Sequence, residues 1–224
     1  MQRKAAFAVD EHYHIYNRGT DKRKIYQGPK DYQRFLVLLH LANNTETVHI
    51  SNQLYQGRSL MELLTIKPLE RLVAIGAYCL MPNHFHLLVR EKTDNGITTF
   101  MKKLLTGYSM YFNKKYDRTG NLFQGCFKAE HVAADDYLKY LFAYIHLNPI
   151  KLIEPGWRDG GLKNKKRAEQ FLANYAWSSF TEHCTDQGRP EAVLLERAGF
   201  PQYFQTAQDS LEELRLWLSI KNGP

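Results

Sequence analysis

The chain has 224 residues, 44% of them hydrophobic and 24% charged, which fits one sizeable globular domain with or without an extension. No stretch approaches the roughly 20 apolar residues that span a bilayer, and three cysteines without a Cys-x-x-Cys spacing exclude a disulfide scaffold and a zinc ribbon. The net charge of +7 favours a polyanionic partner, nucleic acid before membrane. The first apolar run is too short for a signal peptide, so we expect a cytoplasmic protein.

Hydrophobic periodicity divides the chain into strands and helices. Gly or Pro residues stand beside several of the predicted boundaries. The predicted elements in chain order are a strand over 13–18, a helix over 31–42, an irregular connection with a short helix over 59–64, strands over 72–80 and 85–90 joined by the turn Met81-Pro82-Asn83, a helix over 97–116, an extended segment over 122–132, a helix that begins at Asp135 and ends near Pro149, and an amphipathic helix over 211–220.

The first six main elements run strand, helix, strand, strand, helix, strand. This order matches a split βαβ sandwich, an α+β fold in which helices pack on one side of an antiparallel sheet. After Ile150 the regular hydrophobic pattern ends, and the sequence contains a glycine pair and a basic run. We therefore expect one domain over residues 1–152 and a C-terminal extension over 153–224 that packs on or beside it and contributes to DNA binding.

The second strand of the predicted hairpin carries His84 and His86. Successive side chains of a strand point to opposite faces, so the two imidazoles share a face while Phe85 points to the other. Two imidazoles on a rigid strand are suited to bind a metal. The same pattern also fits histidines that merely satisfy their hydrogen bonds in the core or on the surface.

The helix before Pro149 places Tyr144 and Asn148 four residues apart on one face. If this face lies against the histidine strand, two imidazoles and an amide oxygen can hold a divalent cation beside a phenol. The metal would polarise a phosphate, and the deprotonated phenol would attack phosphorus. Tyr144 could instead be a packing residue, and an Asn before Pro is a common helix end. Tyr108 and Tyr111 are weaker candidates because neither has a potential metal ligand on its helix face.

Basic and aromatic side chains near these motifs are candidates for DNA contacts. Basic groups would neutralise phosphates and exposed rings would stack on unpaired bases, although a solvated surface or a packed core explains each residue equally simply. The candidates are Arg18, Lys102, Lys103, Arg118 and Lys128 for phosphates, and Phe123 and Trp177 for bases.

Five motifs together resemble the single-tyrosine HUH (IS200-like) transposases, in particular the REP-associated tyrosine transposases. They span residues 13–180 and are Tyr13-His-Ile-Tyr-Asn-Arg-Gly19, Met81-Pro-Asn-His-Phe-His86, Thr119-Gly-Asn-Leu-Phe-Gln-Gly125, Tyr144-Ile-His-Leu-Asn-Pro149 and Trp177-Ser-Ser179. The resemblance implies a ferredoxin-like HUH fold. It differs at Cys126, where relatives often have arginine.

The resemblance also implies roles for four residues. His84 and His86 correspond to the metal ligands, Tyr144 to the nucleophile, and Asn148 to the residue that completes the metal site. The family nicks and rejoins single-stranded or hairpin DNA through a 5′-phosphotyrosine, with magnesium or manganese, and releases a 3′-hydroxyl. Relatives with a longer chain tend to act as monomers, so we expect a monomer, with a dimer as the alternative.

Two other functions compete with DNA strand transfer. A domesticated relative could bind hairpin DNA or RNA as a regulator without cutting it. A hydrolytic metal enzyme would use the histidines to activate water, but such enzymes usually add a carboxylate, and neither motif contains one. We therefore rank the transposase first and the hydrolase last.

Overall fold

Residues 7–219 are described by a computed structural model and form a four-stranded antiparallel sheet with helices on both faces. The strands follow the order β2-β3-β1-β4, the order of a ferredoxin-like split βαβ fold, so the predicted fold class is confirmed. The elements are β1 (His12–Arg18), α1 (Pro29–Ala42), α2 (Ile50–Tyr55), β2 (Val73–Met81), β3 (His84–Glu91), α3 (Gly96–Lys115), β4 (Lys128–His131), α4 (Asp135–Leu147), α5 (Trp157–Gly160), α6 (Lys165–Asn174), α7 (Phe180–Cys184) and α8 (Ala207–Trp217).

Side-chain alternation along the strands divides the core between the two faces of the sheet. Ile15, Phe85 and Leu87 belong to the larger apolar cluster, which they form with residues of α1 and α3. Cys79 and Leu88 belong to a second cluster on the opposite face, with residues of α4. The sequence predicted helices on one side only, which describes α1 and α3, whereas α4 covers the other face.

A buried carboxylate joins α1 to α3. Asp31 is fully buried, and it accepts hydrogen bonds from the Tyr111 hydroxyl at 2.9 Å, Lys115 Nζ at 2.5 Å and the Tyr116 hydroxyl at 2.7 Å. The backbone N–H of Gln27 donates a fourth at 2.7 Å. Because every donor lies within hydrogen-bonding distance, burial of this charge is compensated.

The C-terminal extension contacts the sheet directly. Leu80 N donates to the carbonyl of Trp177 at 2.8 Å and Ser179 N donates to the carbonyl of Tyr78 at 3.0 Å, so residues 177–179 run along β2. Phe180 of α7 and Leu214 of α8 pack in a third apolar cluster with residues of α4. The extension therefore supports the helix that carries Tyr144.

Several predicted boundaries differ from those observed. The extended segment over 122–132 contains a strand of only four residues, and Gly125 within it has φ 68°, a conformation that glycine adopts without strain. Helix α8 begins at Ala207 because Thr206 and Asp209 form a capping box. The predicted end of this helix at Ile220 lies outside the described residues. Within residues 7–219, no helix has the length and apolarity needed to cross a membrane.

Candidate functional site

The two histidines of β3 lie on the face of the sheet that α4 covers. His86 is 6% exposed and His84 is half-buried, and their ring centroids are 5.1 Å apart with the planes nearly perpendicular. Phe85 between them points to the opposite face and packs against Phe35 of α1. The strand therefore separates the two imidazoles from the main apolar core, as the alternation predicts.

Each of these imidazoles uses one ring nitrogen within the protein. His84 Nδ1 is 2.6 Å from Asn83 Oδ1, and His86 Nδ1 is 2.9 Å from His14 Nε2. Burial, followed by the positive charges of Lys151 and Arg18, lowers the pKa of His84 to about 4. Burial and the neighbouring histidines hold the pKa of His86 well below its ordinary value. Both rings are therefore neutral near pH 7, the form in which imidazole binds metals.

Helix α4 places Tyr144 against His86 and against His14 of β1. The Tyr144 ring meets the His86 ring edge to face, with centroids 5.5 Å apart, and meets the His14 ring in the same way at 5.7 Å. Burial raises the pKa of Tyr144, and the guanidinium of Arg158, 4.6 Å from the ring centroid, opposes this effect. Tyr144 is thus a neutral, half-buried phenol beside His86 and His14.

Asn148 follows Tyr144 by one helical turn and is fully buried. Its Nδ2 donates to the Tyr144 carbonyl at 2.8 Å, which caps the end of α4, and its Oδ1 accepts from Lys151 Nζ at 3.2 Å. The amide oxygen has two lone pairs, so it can accept from Lys151 and still make one further polar contact.

The chemical types of these side chains suit a divalent cation. Two neutral imidazoles each keep Nε2, and the Asn148 amide would add an oxygen, a combination of ligands that divalent metals accept. Across residues 7–219, no group of three or more His, Cys, Asp or Glu side chains is arranged to hold a metal. A cation here would therefore depend on the amide oxygen and on water or substrate oxygens for its remaining ligands.

The predicted phosphate contacts lie in different parts of the fold. Arg18 is exposed at the end of β1, where its Nε donates to Gln124 Oε1, and its charge acts on His84. Lys128 Nζ lies 5.9 Å from the centroid of the Tyr16 ring. Arg118 donates to Asn113 Oδ1 at 2.9 Å, beyond the end of α3. Arg18 and Lys128 are thus the two that lie near the histidines.

The remaining predicted contacts are on α3 and in the core. Lys102 is exposed, whereas Lys103 Nζ donates to the carbonyls of residues 44, 45 and 46, with the shortest distance 2.7 Å. Helix α3 packs on the face opposite the histidines. Phe123 is 6% exposed and meets Phe85 edge to face. Trp177 stacks on Tyr32 with centroids 4.5 Å apart. The structure does not bring these four residues to the histidine site.

Four residues at the site were missed by the sequence analysis. His14 contacts His86, Glu130 lies opposite His14 on β4, and Lys151 and Arg158 approach Tyr144 from the segment after α4. The sequence contained a signal for His14, because His14 and Tyr16 are two residues apart on β1 and share a face, as His84 and His86 do on β3. Lys151 and Arg158 carried no comparable signal, since their positions depend on how the chain turns after Pro149.

Comparison with known proteins gives one family match. The model of the family described as "Transposase IS200 like" matches residues 9–148. No curated protein matches the chain. Among solved structures, a REP-associated tyrosine transposase bound to a REP hairpin aligns over 82% of this chain and 84% of its own, with 12% identity and a TM-score of 0.48. The tRNA(His) guanylyltransferase of Saccharomyces cerevisiae aligns over 100% and 85%, with 10% identity and a TM-score of 0.35.

Proposed function

We propose, from the premise that this chain belongs to the IS200-like transposase family, that it nicks and rejoins single-stranded or hairpin DNA through a covalent 5′-phosphotyrosine on Tyr144. The family match covers β1 to Asn148 and so includes both histidines, Tyr144 and Asn148. The transposase role follows from family membership. The nucleophile, the metal and the form of the DNA are the proposal.

One observation carries this proposal. The Tyr144 ring lies edge-on against His86, on the face of the sheet to which His84 and His86 belong, and Asn148 follows one turn later. A tyrosine that served only as packing would be expected among apolar side chains. Tyr144 packs at the edge of the second apolar cluster, but its ring also contacts two imidazoles, an ammonium and a guanidinium, and Asn148 lies one turn away. These polar groups suit a phosphodiester.

The chemistry requires a balanced exchange of one bond for another. Tyr144 Oη attacks phosphorus and forms a P–O bond, while the bond from phosphorus to the 3′ oxygen breaks. The phenol loses its proton and the departing 3′ oxygen gains one, so a 3′-hydroxyl is released and a 5′-phosphotyrosine remains. The reverse attack by a 3′-hydroxyl rejoins the strand without an external energy source, because the phosphotyrosine keeps the bond energy.

His84, His86 and Asn148 are the residues that would hold magnesium or manganese. When bound, the cation would polarise a phosphate oxygen and neutralise charge that develops on it. Arg158 and Lys151 add positive charge on the Tyr144 side of the site. Arg158 also favours the phenolate, because its charge acts against the rise in the pKa of Tyr144.

DNA would reach this site along the sheet end that carries Arg18 and Lys128, and we propose these two residues as phosphate contacts. The extension over 153–224 supports α4 and supplies Arg158 at the site, so we assign it a part in DNA binding. Lys102, Lys103, Arg118, Phe123 and Trp177 stay predictions, as do the monomeric state and the cytoplasmic location.

The test is a cleavage assay with a hairpin oligonucleotide that carries a single-stranded flank. The protein is incubated with Mg²⁺, Mn²⁺ or EDTA, and products are separated under denaturing conditions. We expect a metal-dependent species in which the protein is joined to the 5′ end of the downstream fragment, with an equal amount of a fragment that ends in a 3′-hydroxyl.

Three outcomes would contradict this proposal. A Tyr144→Phe protein that still forms the covalent species would exclude Tyr144 as the nucleophile. Hairpin binding that is unaffected by EDTA and by Tyr144→Phe, without any covalent species, would favour the domesticated binding regulator. Cleavage without a covalent intermediate would instead favour a hydrolytic metal enzyme.

A further inference from the structure

A second set of polar residues lies beside His86, on strands β1 and β4. His14 and Tyr16 of β1 point to the same face as His86, and His14 lies opposite Glu130 of β4 in the sheet register. His14 is 4% exposed and His86 is 6% exposed. Two neutral imidazoles in contact inside a protein require that one donates and the other accepts, so their tautomers are linked.

These groups lie in a row with one long gap. The Tyr16 hydroxyl donates to Glu130 Oε1 at 2.7 Å, and Glu130 Oε2 faces His14 Nδ1 at 3.7 Å, an ion-pair separation that is too long for a hydrogen bond, so the buried Nδ1 has no hydrogen-bond partner among the described residues. His14 Nε2 is 2.9 Å from His86 Nδ1. The His14 and His86 rings are nearly parallel, 18° apart, with centroids at 5.1 Å. Every link therefore has its geometry set by sheet strands.

We propose that His14, aligned by Glu130 and Tyr16, is a positioning residue that fixes His86 in the tautomer whose Nε2 lone pair faces the cation. The negative charge of Glu130, 3.7 Å from His14 Nδ1, favours the tautomer of His14 that carries its hydrogen on Nδ1, because a carboxylate attracts an N–H and repels a lone pair. His14 Nε2 is then the acceptor, and His86 Nδ1–H is the donor. The remaining nitrogen of His86, Nε2, carries a lone pair. Metal-binding histidines are commonly fixed in this way by an outer carboxylate or carbonyl.

His14 would act only through His86, not on DNA. The inference rests on the proposed function in one respect, the assignment of His86 as a metal ligand. The tautomer of His86, however, is a property of the metal-free and DNA-free protein. It is measured separately from both metal binding and cleavage, so a failure of the inference can be told apart from a failure of strand transfer.

The first experiment is a long-range ¹⁵N–¹H correlation spectrum of the metal-free wild-type protein, with the His14→Gln and Glu130→Gln variants used for assignment. We expect His86 to carry its hydrogen on Nδ1 and His14 to carry its hydrogen on Nδ1. We expect Glu130→Gln to mix the two tautomers, because an amide both donates and accepts. A wild-type His86 with its hydrogen on Nε2 would overturn the proposal.

The second experiment measures Mn²⁺ affinity by calorimetry, without DNA. His14→Phe keeps a ring but removes both nitrogens, and we expect Mn²⁺ binding to weaken about 10- to 100-fold. His14→Gln keeps an acceptor for His86 Nδ1 and should recover most of this loss. An unchanged affinity in His14→Phe, or an equal loss in His14→Gln, would contradict a positioning role.

A matched control exists on the neighbouring strand. His131 pairs with Glu11 at 2.7 Å and contacts Tyr13, but it does not touch His86. We expect His131→Phe to leave Mn²⁺ affinity unchanged. Thermal unfolding of each variant shows whether it is folded. If His14→Phe does not fold, Glu130→Gln provides the test, because Glu130 is exposed and its replacement should leave the protein folded. We expect Glu130→Gln to weaken Mn²⁺ binding by less than His14→Phe does.

The outcomes separate this inference from the function. If wild-type protein binds Mn²⁺ through His86 and His14→Phe weakens it, but no phosphotyrosine forms, the positioning role stands and strand transfer is wrong. If cleavage occurs and Mn²⁺ affinity does not respond to His14, strand transfer stands and the positioning role is wrong. A protein that binds no Mn²⁺ contradicts both the metal site and this inference.

Discussion

The two faces of the sheet differ although the same two strands, β1 and β3, supply residues to both. On one face, Ile15 and Phe85 pack beneath α1 and α3. On the other face, His14 and His86 lie beneath α4. The first face is apolar, with the buried carboxylates of Asp31 and Glu91 at its edges. The second face is apolar near β2, and it carries the imidazole rings of His14 and His86 where Tyr144 approaches. Because adjacent residues alternate between the faces, a shift of one position exchanges a residue needed for stability with one needed for chemistry.

The largest effect is expected from Tyr144→Phe, which removes only the hydroxyl on the polar face. Formation of the covalent DNA species should fall by on the order of 10⁴-fold or more, because no other group takes over a lost nucleophile. The unfolding midpoint should change little, since Tyr144 is half-buried. Tyr137→Phe, seven residues earlier on α4, is the control and should cleave normally. Equal losses in both variants would contradict a nucleophilic role.

The neighbours Phe85 and His86 test the division between the faces directly. Phe85 is fully buried, so Phe85→Ala should lower the free energy of unfolding by about 3–5 kcal/mol. Mn²⁺ affinity of its folded fraction should stay near that of the wild type. His86→Ala should reverse this result, with a loss of Mn²⁺ affinity of on the order of 100-fold and a smaller change in stability. Chemical denaturation and calorimetry on both variants make the comparison.

A result in which both variants lose metal affinity and stability equally would mean that the two faces are not separable. That outcome would arise if the sheet depended on the histidine cluster for its packing. Retained Mn²⁺ affinity in His86→Ala would instead remove His86 from the metal site.

The sequence predicted those features of the two faces that depend on residues close together in the chain, and it missed those that depend on distant residues. The opposite directions of Phe85 and His86 follow from strand alternation, and the shared face of Tyr144 and Asn148 follows from helical spacing, so both were predicted. The contact of His14 with His86 depends on the register of β1 against β3, which brings together two residues that are 72 positions apart in the sequence. Local patterns do not give such a register, and the contact was missed.

The same reason explains the predicted DNA contacts that lie elsewhere. Phe123 and Trp177 were predicted from residue type, but their exposure depends on tertiary packing. Phe123 contacts Phe85 and Tyr108, and Trp177 stacks on Tyr32 where the extension runs along β2. Residue type alone does not distinguish a ring that is exposed for stacking from one that is packed.

The apolar face has its own pH dependence, which arises from Asp31. Burial alone would raise its pKa, but hydrogen bonds from Lys115, Tyr116 and the Gln27 backbone outweigh burial and hold the pKa below the ordinary value of 3.8. The pKa of the folded protein is thus lower than that of the unfolded chain. The stabilisation is complete above about pH 4 and is lost as the pH falls through the folded pKa.

Asp31→Asn should therefore destabilise the protein by about 3 kcal/mol at pH 7, because Lys115 loses its buried partner. The difference from the wild type should shrink as the pH falls below about 4, where Asp31 itself becomes neutral. Urea denaturation across this pH range measures it. Asp21→Asn, at an exposed pair with Arg23, is the control and should change stability by less than about 0.5 kcal/mol. A difference independent of pH would exclude the charge as the cause.

The smallest effect is expected from Lys151, whose ammonium lies at the polar face. Lys151 Nζ donates to Asn148 Oδ1, the oxygen proposed as a metal ligand, and its charge opposes a cation at the histidines. Lys151→Met keeps the length and removes the charge, so Mn²⁺ affinity should rise about three- to tenfold. Lys139→Met, which breaks an ion pair with Glu213 on the far side of α4, is the control.

The direction of this change distinguishes two roles for Lys151. If its main effect is electrostatic repulsion, the variant binds Mn²⁺ more tightly, and the gain shrinks in high salt because screening weakens the charge that was removed. If its main effect is to hold the Asn148 side chain in place, the variant binds Mn²⁺ more weakly at every salt concentration. The first result means that Lys151 must yield Asn148 Oδ1 before a divalent cation can bind, so that occupancy of the site is set by competition between an internal and an external cation.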